Sequence, residues 1–80
     1  MPLRILTNHL REVRSARNLS GYDVAILSKL TVHKIYLIER GLLWPSFQER
    51  ARIAAALQVS QDDIFPESLR RPEAQRILED

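Results

Sequence analysis

Apolar positions recur along this chain with a helical period, and short polar stretches punctuate them. Leu6, Leu10 and Val13 fall at i, i+4 and i+7, which predicts a first helix over residues 8–17 with Asn18 in the left-handed position after it. Ser20 opens a second helix. Asp23 stands three residues on, as a capping box requires, and Leu19 and Val24 have the spacing of a hydrophobic staple. This helix is expected to end near Ser28. Thr31 caps a third, stapled by Leu30 and Ile35 and ended by Gly41. After the loop "GLLWP", Ser46 and Glu49 open a fourth helix, whose inner stripe reads as Phe47, Ala51, Ala54 and Leu57. Ser60 and Asp63 open a fifth, stapled by Val59 and Ile64 and stopped by Pro66.

Caps, staples and periodicity agree with one another, so the pattern predicts an all-α fold, a compact five-helix domain over residues 1–66. Residues 67–80, "ESLRRPEAQRILED" with the glutamate at 67, are read as a tail or a short extra helix started by Pro72.

Composition narrows the chemistry. Eighty residues hold one small core. Cysteine is absent, so neither a disulfide nor a thiolate metal site contributes, which suits a reducing compartment. The apolar runs are too short for a membrane span or a signal peptide, and a cytoplasmic location is expected. No paired carboxylates, metal-spaced histidines, phosphate loop or triad can be assembled, so no enzyme activity, metal or cofactor is expected. With no second domain to hold one, no small-molecule effector is expected either. Charge is distributed unevenly: residues 1–40 carry seven basic and three acidic side chains, whereas residues 41–80 carry five and seven. A positive N-terminal half suits a polyanionic partner.

The stretch "LSGYDVAILSKLTVHKIYLIERG" contains two short helices and a tight turn, the skeleton of a helix-turn-helix. Ala25 is small where the helices cross, and Val24, Leu30, Ile35 and Ile38 are apolar pegs that fix the crossing. A fixed crossing lets the third helix protrude toward a groove about 12 Å wide. With Ile35 and Ile38 turned inward, a wheel of about 100° per residue turns His33, Tyr36, Leu37 and Arg40 outward.

From about Leu6 to Phe65 the chain resembles the phage repressor and Cro-type (XRE) family of helix-turn-helix DNA-binding domains. The landmarks are "LREVRSARNLS", "VAILS", "IERG", "PS" and "AAALQVSQDDIF", in that order. The resemblance implies a sequence-specific transcriptional regulator that binds double-stranded DNA as a homodimer on a two-fold operator. It implies an ion pair between Arg14 and Glu39. It sets Thr31, Val32, His33 and Leu37 toward the major groove and Lys34 and Arg40 toward phosphates. Gly21 stands where the family has glutamine, between Ser20 and Tyr22. The helix start still offers backbone N–H groups to a phosphate, and Tyr22 is the candidate to replace part of the lost side chain. Lys29 and Gln58 stand where the family has glycine, so each is expected at positive φ at a cost of roughly 1 kcal/mol. Arg50 takes a commonly apolar place in the fourth helix.

Within that frame Val32 and Leu37 can make only apolar contact, and the apolar target in the groove is the thymine methyl. His33 suits a base edge and Tyr36 a phosphate oxygen. The family pairs through its fourth and fifth helices, which makes Leu57, Val59 and Phe65 dimer candidates. Leu43 and Trp44 join them if the loop is an exposed patch; the other reading folds that loop over the fourth helix. An apolar recognition face, the missing glutamine and modest net charge also fit an alternative, a helix-turn-helix used as a protein-interaction module.

Overall fold

The computed structural model describes residues 8–66, and the expectations for Leu6 and for the tail lie outside them. Five helices follow one another: α1 (Leu10–Ala16), α2 (Gly21–Ser28), α3 (Val32–Glu39), α4 (Phe47–Leu57) and α5 (Gln61–Ile64). No strand occurs among the described residues.

Each boundary has a local cause. Asn8 does not enter the first helix: its Oδ1 accepts from the Leu10 N–H (2.9 Å), and its Nδ2 donates to the Ile38 carbonyl (2.8 Å). Helix α1 therefore starts two residues later than its period suggests. Ser20 and Asp23 form a reciprocal capping box at the head of α2, and Ser46 and Glu49 do the same for α4. Thr31 caps α3 by accepting from the Lys34 N–H at 3.0 Å. At α5, Asp63 accepts from the Ser60 N–H. Asn18, Lys29 and Gln58 all take positive φ near 60°, as does Gly41 at 76°.

Helix α2 is the hub. It packs against α3 and α4, while α1 lies across α2, α3 and α5, and α5 closes on α4. Leu10, Val24, Ala25, Ile35, Ile38, Ile53, Ala54, Leu57, Ile64 and Phe65 form the buried core. Buried Ser28 spends its hydroxyl on the Val24 carbonyl (2.6 Å) and so leaves no unpaired polar group.

Two expectations need correction. Phe47 is not on the inner stripe of α4: it is 66% exposed, and the buried positions are Ile53, Ala54 and Leu57. The cause is the loop before it. Trp44 folds back on the core, edge-on to Phe65 with ring centroids 5.6 Å apart. Phe47 turns outward instead, and the Arg50 guanidinium lies 5.7 Å from its ring and 5.9 Å from that of Trp44. Arg50 also donates to the Pro45 carbonyl and to Gln61, so a cation is satisfied where an apolar side chain was expected.

The second correction concerns the dimer candidates. Leu57 and Phe65 are buried in the core of the single chain, where α5 packs on α4 and Trp44 lies against Phe65. Neither offers surface to a partner.

Replacing the left-handed Gln58 tests the cost of these helix ends. Gln58 is exposed, so Gln58→Gly should remove only the backbone strain. We expect a gain of roughly 0.5–1 kcal/mol, after allowing for the greater entropy of glycine in the unfolded chain. A urea titration would show it as a higher midpoint with an unchanged slope.

Candidate nucleic-acid interface

The outer face of α3 is built by its inner one. Ile35 and Ile38 are buried against α1 and α2, and this fixes the rotation of the helix. Val32 (45% exposed), His33, Tyr36 (52%) and Arg40 consequently face solvent, with Leu37 half-buried at their margin. Thr31 is exposed at the helix head, where its hydroxyl is committed to capping.

The two flanks of α3 are held differently. On the α1 side, Arg14 Nε and Nη2 donate to the two carboxylate oxygens of Glu39, the second at 3.2 Å, and Nη1 donates to the Leu19 carbonyl at 3.1 Å. This fork leaves both side chains at 18% and 13% exposure. The hydrogen bond to Glu39 raises the Arg14 pKa, against the opposing pull of desolvation. Next to it Arg40 donates to the Tyr36 hydroxyl (2.9 Å), with its guanidinium 5.1 Å from the ring centroid. Arg40 and Tyr36 are thus one unit on the surface.

On the α4 side, Lys34 is half-buried and its Nζ reaches Glu49 at 2.6 Å. The family resemblance set Lys34 toward phosphates and gave no sign of this carboxylate. The capping pattern was the available signal, since Glu49 was already identified at the head of α4. Its two oxygens serve two tasks, one accepting from the Ser46 N–H and the other from Lys34.

The head of α2 carries Ser20, Gly21 and Tyr22, with Gly21 against Ile35 of α3. The Ser20 hydroxyl and carbonyl take the N–H groups of Asp23 and Val24, which leaves those of Gly21 and Tyr22 without an intrahelical acceptor. Tyr22 is 62% exposed. A Cβ at Gly21 would meet only Ile35 Cγ2 at 3.7 Å, an ordinary contact, so space does not demand glycine there.

One polar device was missed altogether. Arg52 of α4 donates to the carbonyls of Ser28 and Lys29, both at 3.0 Å, and so closes the C-terminal end of α2. Its partners lie more than twenty residues away along the chain, beyond any local pattern. Of the dimer candidates, Leu43, Trp44 and Val59 are half-buried and packed on the core. Among the described residues no group of acidic, histidine or cysteine side chains is placed to hold a metal. None of the described helices is long and apolar enough to cross a membrane.

A capped α2, a tight turn and an α3 whose outer face is open define a helix-turn-helix DNA-binding domain. Residues 5–64 match the family model described as a helix-turn-helix domain, and the chain belongs to that family. Among solved structures it is similar to the restriction-modification controller protein C.AhdI from Aeromonas hydrophila. The two share 33% identity and a TM-score of 0.67, over 69% of this chain and 83% of that one. No curated protein matches it.

The Glu49 carboxyl carries a pH signature. Its hydrogen bond to Lys34, and then the Ser46 N–H, hold its pKa below the ordinary glutamate value. A depressed carboxylate pKa stabilises the fold above the unfolded-state value, near about 4.3, and that contribution disappears as pH falls through the folded-state value. Glu49→Gln should therefore be less stable than the parent at neutral pH, and the gap should close in acid. Thermal melts of both proteins across that range check it.

Proposed function

We propose that the chain is a sequence-specific transcriptional regulator that binds double-stranded DNA with α3 in the major groove. The observation that carries this reading is the open outer face of α3, where Val32, His33, Leu37 and Arg40 stand on a helix locked from behind. The printed description of C.AhdI as a controller protein supports the regulatory part. Thr31, Val32, His33 and Leu37 read bases; Arg40 with Tyr36, and the free N–H groups at Gly21 and Tyr22, hold phosphates. The Lys34 charge is already countered by Glu49, so its net contribution toward a phosphate is smaller than a solvated lysine would make.

Few bidentate hydrogen bonds are available on this face, so direct readout is modest. The remaining specificity comes from DNA shape and from a second half-site. That second half-site implies a homodimer on a two-fold operator. With Leu57 and Phe65 spent in the core, the exposed remainders of Leu43, Trp44 and Val59 are the surface left to it.

A second reading has its own observation. Ile26 and Leu27 are 59% and 54% exposed on α2, next to the same helix pair. Such adjacent apolar side chains suit a protein partner. Steep loss of DNA affinity with salt favours the regulator, and salt-insensitive protein binding favours the interaction module.

The deciding experiment is selection of bound duplexes from a random pool, with sedimentation of the free and bound protein to count copies per site. On the selected site, thymines should face the middle of α3. Replacing one of them by uracil, which deletes only the methyl, should cost on the order of 1 kcal/mol. Leu37→Ala should cost a similar amount on the thymine duplex and almost nothing on the uracil duplex, because both changes remove one contact. If Leu37→Ala leaves every DNA affinity intact, this face does not read bases.

A further inference from the structure

Beside the C-terminal half of α3, a cleft of about 430 Å³ is lined by Arg11, Arg14, Tyr36, Glu39 and Arg40. Its walls come from two helices, α1 and α3. Of these, Arg14 and Glu39 neutralise each other through the forked ion pair. Arg11 and Arg40 keep their charge, so the lining carries a net charge of +2.

Both arginines have donors to spare. Arg40 gives one N–H to the Tyr36 hydroxyl, and a guanidinium has five. Arg11 is exposed, and no described residue forms a hydrogen bond or ion pair with it. Tyr36 is the positioning element: its ring and hydroxyl hold the Arg40 guanidinium on the α1 flank of α3, the side on which Arg11 lies. Arg14 cannot leave its place to act as a third cation, because Glu39 and the Leu19 carbonyl use its Nε and both terminal nitrogens. The result is a cleft lined by two arginines with donors to spare and by one self-neutralised ion pair, which suits a tetrahedral oxyanion approached from solvent.

We propose that this cleft is a phosphate site, occupied by one phosphodiester of the DNA strand that borders the groove entered by α3. Arg11, a residue of the first helix, is its second clamp. The proposal rests on the regulator reading above and adds to it a contact from outside the helix-turn-helix. It also assigns the ion pair a role in recognition: by cancelling its own charge, the Arg14–Glu39 pair leaves the anion to Arg11 and Arg40.

The test uses the full chain and its selected duplex, with affinity measured over a range of salt. Arg11→Gln, whose fold is checked by its melting temperature, should weaken binding about equally on selected and unrelated duplexes. It should also lower the salt slope by about one, while Arg11→Lys keeps the slope. A series of duplexes, each with one backbone phosphate replaced by a neutral methylphosphonate, should contain one position at which parent and Arg11→Gln bind alike. An unchanged salt slope with DNA binding intact overturns the phosphate site alone. Failure of the parent protein to bind any duplex overturns the regulator reading and this site together. Inorganic phosphate alone is the control for a free anion. If it saturates the Arg11 and Arg40 side-chain signals at micromolar concentration while Arg11→Gln leaves DNA affinity unchanged, the ligand is a free phosphate and the DNA assignment is wrong.

Discussion

The guanidinium of Arg14 joins three parts of the chain that have no covalent reason to stay together. It belongs to α1, donates to Glu39 at the end of α3, and donates through its remaining terminal nitrogen to the Leu19 carbonyl just before α2. With both side chains largely shielded, the pair contributes geometry more reliably than net stability. Removing one partner leaves the other charge shielded and unpaired beside the core, which destabilises the domain. The angle at which α3 leaves the domain depends on this fork together with Ile35 and Ile38. A recognition helix is useful only if that angle is the same in every copy.

The rest of the polar structure serves the same end from the opposite side. Glu49 caps α4 with one oxygen and holds Lys34 of α3 with the other, so the start of one helix is tied to the start of the next. Arg52 returns from α4 to close the end of α2, where left-handed Lys29 would otherwise leave carbonyls facing outward. Thus α4 braces both helices of the motif. The helix-turn-helix is short, and short helices are marginal alone. Here they are held by partners from before and after them in the chain.

This bracing separates two kinds of side chain on α3. Lys34 and Glu39 are committed to the domain. Val32, His33, Tyr36 and Arg40 are exposed and outside the buried core, and so are open to a ligand. The contrast between a locked inner face and an unconstrained outer one is the physical basis for reading this helix as the interface.

Much of this was legible in the residues. Capping boxes at Ser20 and Ser46, the cap at Thr31 and the stops at Asn18 and Gly41 are local, involving partners at most five residues apart, whereas the left-handed Lys29 and Gln58 were expected only from the family's glycines. Local chemistry of that kind is written directly in sequence, and it determined the helices and their order. The pairing of Arg14 with Glu39 was available only through resemblance to a family. What tertiary structure alone decided has a common feature, which is competition for space or for a charge between distant segments. Trp44 packs against Phe65, while Phe47, which the period of α4 turned inward, is exposed. Leu57, which the helical period had already turned inward, and Phe65 are both buried in the core, although the family resemblance offered them to a partner. Lys34 found Glu49, Arg52 found the end of α2, and Arg11 came to lie beside Arg40. Periodicity states which side of a helix is apolar, but not which neighbour arrives first to cover it, because that depends on packing between segments far apart in the chain.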